Sequence, residues 1–127
     1  MILGMGLDVA EISRIQNSLA RFGARFTTRV LTAGETAAMP QANPASYVAA
    51  RFAAKEACAK ALGTGFANGV SMQNIEVRSL PSGAPTLLLS GRAQELADAM
   101  GATRLHLSLT HGRDVAAAVV ILEGSPL

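Results

Sequence analysis

The sequence predicts an α+β fold: a single domain over residues 1–127, with an antiparallel sheet packed against one long helix and several shorter helices. Three observations carry this. Hydrophobic periodicity switches between two residues and about 3.6 residues in the order β-α-α-α-β-β-α-β-β. The later strands are joined by short turns, which suit antiparallel hairpins and cannot make a parallel crossover. Half of the 127 residues are hydrophobic, enough to fill one core.

Each element has its own reason. Residues 2–10 alternate small and apolar side chains and read as a strand. Gly4 and Gly6 interrupt it, which marks a bulge or a close backbone approach. Ile12, Ile15, Leu19 and Phe22 then share one helical face, and Gly23 is a natural stop. Thr32 followed by Glu35 fits a capping box opening a short helix that Pro40 ends. Pro44 and Ser46 open the longest helical stretch, which runs through Tyr47, Phe52, Glu56 and Lys60 to Gly63. Its many alanines favour helix and allow close packing. Gly63, Gly65 and Gly69 break that pattern into a loop. Residues 75–77 and 86–89 read as strands joined by a Pro- and Gly-containing turn, and 91–100 as a helix closed by Gly101. Leu105, Leu107 and Leu109 alternate with polar residues in a half-buried strand, and Val115 to Leu122 reads as a buried one.

Composition narrows the class. Charged residues are 16% and the net charge is +2, which excludes a disordered chain. A single cysteine, Cys58, excludes a disulfide scaffold and reads as a small core residue of a cytoplasmic protein. The longest apolar run, Val115 to Leu122, falls well short of the roughly 20 residues a membrane span needs. The start, Met1-Ile2-Leu3-Gly4, lacks the basic region of a signal peptide. A soluble cytoplasmic domain without a membrane partner is expected.

Basic charge is concentrated in the first half. Arg14, Arg21, Arg25 and Arg29 follow one another with no acidic residue between them. Such a run is either a solvated helix face or a patch for an anionic partner: nucleic acid, a phosphorylated ligand or an acidic protein surface. With one Tyr and no Trp, stacking on single-stranded bases has little support.

The groups able to carry chemistry are few. Both lysines, Lys55 and Lys60, flank Glu56, and Glu56 and Lys60 share a helix face at i,i+4. That spacing fits an ordinary surface pair. It also fits a carboxylate that holds a divalent cation beside a lysine that reaches phosphate oxygens. Asp8 sits near the end of a glycine-broken strand, where aspartate is disfavoured, as a cap or a second metal carboxylate. His111 ends a strand beside Gly112 and Arg113, a setting for a phosphate contact. No Ser-His-Asp grouping, Cys-x-x-Cys, Walker loop or dinucleotide fingerprint is present.

Gly4-Met-Gly-Leu-Asp8-Val-Ala-Glu-Ile-Ser-Arg14 and Arg51-Phe-Ala-Ala-Lys-Glu56-Ala-Cys-Ala-Lys60-Ala-Leu-Gly-Thr-Gly65 together resemble the holo-acyl-carrier-protein synthases, the short trimeric class of 4′-phosphopantetheinyl transferases. Ser82-Gly-Ala-Pro85 and Leu107-Ser-Leu-Thr-His111 extend the resemblance over nearly the whole chain. It implies transfer of phosphopantetheine from coenzyme A to a serine of apo-acyl carrier protein, with Mg²⁺ and release of adenosine 3′,5′-bisphosphate. Asp8 and Glu56 would hold the metal, Glu56 would help deprotonate the serine through a water, and Lys60 would neutralise phosphate charge. Gly63 would line the phosphate channel, Arg51 and His111 would contact the 3′-phosphate, and Pro85 would abut the adenine. Arg14, Arg21 and Arg25 would dock the carrier protein. A homotrimer with active sites at subunit interfaces is implied, so that Asp8 and Glu56 of one site can come from different chains. The chain departs from the family pattern at Ala50, often basic in relatives, and at Val115, near an often aromatic position. The alternative is a non-catalytic module that docks an acidic protein or nucleic acid through Arg14 to Arg29.

Overall fold

The computed structural model describes residues 1–126. Strand β1 (Ile2–Glu11) opens the chain and runs directly into helix α1 (Ile12–Phe22). Helices α2 (Ala24–Val30), α3 (Ala33–Ala37) and α4 (Ala45–Ala61) follow. A 3₁₀ turn (Met72–Asn74) leads into β2 (Ile75–Ser79) and β3 (Pro85–Leu89). Helix α5 (Gly91–Met100), β4 (Ala102–His111) and β5 (Val115–Gly124) complete the chain.

All strand pairing is antiparallel, as the short turns imply, but it forms two sheets rather than one. The larger has the order β1-β5-β4, and among the described residues β2 and β3 pair only with each other. The ten residues of α5 separate β3 from β4, so no tight turn sets a register between them. A second difference is α2. Gly23, read as a stop, is a joint: its N–H bonds Leu19 and its carbonyl accepts from Phe26 at 3.0 Å. Its φ of 54° with ψ of −127° is open to glycine, and the next helix starts at once. The segment Ala-Arg-Phe-Thr-Thr-Arg-Val is too short to show a helical stripe, and its helix depends on tertiary partners, with Val30 buried and Phe26 packed against the core.

Helix α4 lies across β1 and β5 at very close range. Ala53, Ala54, Ala57 and Cys58 are fully buried there. A Cβ built on Gly4 would overlap the Ala61 carbonyl oxygen, and one on Gly6 the Ala57 carbonyl oxygen. The two glycines are therefore the close approach their positions imply, and the alanines are its other half. This contact brings the end of β1 against the middle of α4. Burial pushes the Cys58 thiol up to about 12, which leaves it unreactive.

The capping box forms as its spacing predicts: Glu35 N–H bonds the Thr32 hydroxyl and Thr32 N–H bonds the Glu35 carboxylate. Its carboxylate does more. It accepts from Val77 N–H at 2.7 Å and pairs with Lys55 Nζ at 2.6 Å, with both side chains 0% exposed. Lys55 also donates to the Met72 carbonyl at 3.0 Å. Burial pulls its ammonium below the ordinary lysine range, and the Glu35 carboxylate pushes it back. Lys55 thus binds α4 to α3, β2 and the 3₁₀ turn, and it takes no part in the surface formed by Glu56 and Lys60.

The opposite face of the larger sheet is uncovered. Register aligns Met5 with Ile121 and His106, Leu7 with Val119 and Ser108, and Val9 with Ala117 and Thr110. Met5, Leu7 and Val9 are 62%, 64% and 56% exposed. Among the described residues, no helix is long and apolar enough to cross a membrane.

Candidate active site

Asp8 projects from β1 on the face that meets α4, and Glu56 projects from α4 beside it. Both line one cleft of about 350 Å³, with Glu11, Arg14, Phe26 and Phe52 among its walls. Glu56, Phe26 and Phe52 also line an adjoining groove of about 730 Å³, which continues over Arg29, Phe66 and Gln73. Within a single chain the two carboxylates already line the same cleft, so no second subunit is needed to bring them together. The close passage of α4 over Gly6 is the reason, since it sets residue 56 next to residue 8.

Lys60 completes the cluster, though not by the i,i+4 pairing its spacing allows. Its ammonium donates to Asp8 Oδ1 at 2.9 Å and to the Leu7 carbonyl at 3.1 Å. Glu56 has no ion pair among the described residues. Burial raises the proton affinity of the Glu56 carboxyl, the Asp8 carboxylate adds to the effect, and Lys60 opposes it. Two carboxylates crowded at a cleft mouth, one lacking a counter-charge, favour a hard divalent cation. Mg²⁺ needs only one or two carboxylates when waters and substrate phosphates fill its other positions. Among the described residues no group of three or more His, Cys, Asp or Glu side chains gathers, so a site of protein ligands alone is not built. The donor set fits a cation shared with a phosphorylated substrate. Lys60 stands at the C-terminal end of α4, where the helix dipole disfavours anions, so its own charge must supply the phosphate contact.

The four arginines divide. Arg14 lines the carboxylate cleft. Arg25 and Arg29 line the next depression along α1 and α2, with Ser18, Phe22 and Phe26. Arg21 stacks on the Phe22 ring at 5.2 Å, outside these walls. All four are exposed, and Arg14, Arg25 and Arg29 form a basic rim along the cleft and the depression next to it.

The other expected contacts lie apart from the carboxylates. Arg51 is five residues before Glu56, roughly 140° around the helix, and its guanidinium sits 3.8 Å from the Tyr47 ring centroid. Its buried Nε has no hydrogen-bond partner among the described residues. Gly63 ends α4 with φ 85°, Pro85 starts β3 opposite Ser79, and His111 ends β4 opposite Ala116. None of these four lines the cleft that holds Asp8 and Glu56. Sequence reasoning passed over the aromatic walls. Phe52 was reachable, because it precedes Glu56 by four residues on the same helical face. Phe26 has no such signal, because the short α2 segment shows no helical pattern in the sequence.

Residues 4–120 match the model of the 4′-phosphopantetheinyl transferase superfamily. A holo-[acyl-carrier-protein] synthase of Nitratidesulfovibrio vulgaris (strain DP4) is 56% identical over 123 residues, which cover 97% of this chain and 99% of that protein. Among solved structures, a holo-[acyl-carrier-protein] synthase from Neisseria meningitidis superposes with a TM-score of 0.88 at 39% identity, covering 97% of this chain and 99% of that one. The Bacillus anthracis holo-(acyl-carrier-protein) synthase, solved in complex with CoA (3′,5′-ADP), gives 0.82 at 38% identity, covering 98% and 99%.

Proposed function

The chain belongs to the 4′-phosphopantetheinyl transferase superfamily and is a phosphopantetheinyl transferase; from this premise we propose the reaction in detail. Its donor is coenzyme A, its acceptor is a serine of apo-acyl carrier protein, and its second product is adenosine 3′,5′-bisphosphate. The reaction runs in the cytoplasm and depends on Mg²⁺. The observation that carries this reading is the convergence of Asp8, Glu56 and Arg14 on one cleft, with Lys60 bonded to Asp8.

In this reading Asp8 and Glu56 hold Mg²⁺, which when bound supplies positive charge to the pyrophosphate of coenzyme A. Phosphoryl transfer depends mainly on positioning and charge stabilisation, and this chain's residues serve both. Lys60 faces the phosphate oxygens and offsets the charge that grows on the leaving phosphate. Glu56, whose carboxyl holds a proton more readily than an ordinary glutamate, accepts the serine proton through an intervening water. The serine oxygen bonds to phosphorus as the bond to the nucleotide phosphate breaks. The test is direct. Incubated with coenzyme A and Mg²⁺, apo-acyl carrier protein should gain the mass of one phosphopantetheine group. No gain, with an active relative as control, removes the proposal.

Carrier docking is assigned to the exposed arginines Arg14, Arg21 and Arg25. Exposed charges act on encounter and orientation and are screened by salt. Arg14→Glu is expected to raise KM for the carrier protein several-fold with KM for coenzyme A nearly unchanged, and added salt should mimic it in the parent. An effect on coenzyme A alone would assign the arginine to the nucleotide instead.

Assembly as a homotrimer, with active sites between subunits, is supported by two features. One is the uncovered apolar face of the β1-β5-β4 sheet, a surface that association would bury. The other is the separation of Arg51, Pro85 and His111 from the carboxylate cleft, which a second subunit would resolve by bringing its own nucleotide contacts. Mixing inactive Glu56→Gln and His111→Ala subunits is then expected to restore part of the activity. Mixtures that stay as inactive as their components would show that each chain works alone.

A further inference from the structure

Helix α2 carries Arg25 and Arg29 to the rim of the site, yet little holds it in place. Seven residues are too few for a stable helix by themselves, and the apolar anchorage is limited to buried Val30 and half-buried Phe26. At its start the chain turns on Gly23, a residue with no side chain to fix the angle. At its other end, the Gln73 amide donates two hydrogen bonds of 2.7 Å, to the carbonyls of Thr28 and Leu31. These are last-turn carbonyls that lack partners within so short a helix. One NH₂ group carries just the two protons needed.

Gln73 is itself anchored. It lies in the 3₁₀ turn between Met72, whose carbonyl accepts from buried Lys55, and Asn74, whose side chain closes a box with Ser71. Lys55 immediately precedes Glu56 on α4. A continuous path therefore runs from the buried part of α4 through the turn to the end of α2. Gln73 and Arg29 also line the same groove as Glu56. We propose that Gln73 is a positioning residue that holds α2, and with it the arginines of the rim, at the distance from Glu56 that the carrier protein requires. The proposal rests on the docking assignment above.

Gln73 is exposed, so its replacement leaves the core intact. Gln73→Met keeps the length and removes both donors. Losing these bonds is expected to speed hydrogen exchange of the α2 amides, and of Leu31 just past its end, by roughly tenfold. Exchange in α4 should match the parent. In the transfer assay the same variant should raise KM for apo-acyl carrier protein about three- to tenfold, with kcat and KM for coenzyme A near parent values. Unchanged exchange in α2 overturns the proposal, and so does faster exchange with an unchanged carrier KM, because Gln73 would then serve stability alone. Arg25→Glu separates the two readings. If it raises carrier KM while Gln73→Met does not, docking stands and positioning fails; if neither variant raises it, docking by α2 fails as well.

Discussion

Glu56→Gln is expected to lower turnover by roughly 10²- to 10⁴-fold, the range for removing a general base, with the unfolding transition close to that of the parent. The side chain is partly exposed and makes no ion pair among the described residues, so little structure depends on its charge. The amide keeps the shape but can neither neutralise a cation nor take a proton. A pH dependence accompanies this. The folded protein holds the Glu56 proton to higher pH than an ordinary glutamate does, because burial and Asp8 disfavour the carboxylate. As pH falls through that raised value the carboxylate is lost, so Mg²⁺ affinity in the parent should weaken earlier than a normal glutamate would dictate. In Glu56→Gln this part of the dependence should vanish. Calorimetric titration of Mg²⁺ across pH reads the effect, and near-parent turnover in Glu56→Gln would exclude the residue from the centre.

The largest loss of stability is expected from Lys55→Met. The substitution leaves the Glu35 carboxylate buried without its counter-charge and the Met72 carbonyl without a donor. Breaking one side of a buried pair costs about 3–5 kcal/mol. Glu35 also caps α3 and bonds Val77, so the damage should spread from α4 to α3 and the β2–β3 hairpin. The double variant Glu35→Gln/Lys55→Met removes both charges and should recover part of the loss, since the glutamine oxygen can still accept a backbone N–H. Urea unfolding measures both variants against the parent. A loss below about 1 kcal/mol in the single variant would show that water or rearrangement replaces the pair.

Local chemistry made much of this protein legible. The alternation of β1, the stripe of α1, the Thr32–Glu35 box and the alanine-rich α4 are patterns of near neighbours, and each element formed where its pattern stands. Gly4 and Gly6 announced a close contact because only a missing side chain permits one. The sequence could not name the carbonyls of Ala57 and Ala61 as what they meet. Asp8, Glu56 and Lys60 were visible as residue types out of keeping with their surroundings.

Three matters were decided by the tertiary structure alone. Lys55 and Lys60 both flank Glu56 in the sequence, yet only the fold buries the first against Glu35 and leaves the second at the surface with Asp8. Helix α2 has no pattern of its own and exists through packing at Val30 and the Gln73 bonds, partners more than forty residues away. Asp8 and Glu56 meet within one chain, while Arg51 leaves the same helix on another side. Composition and periodicity report how a segment divides core from solvent. They do not report which distant segment supplies the core, and on that depend the charges that meet.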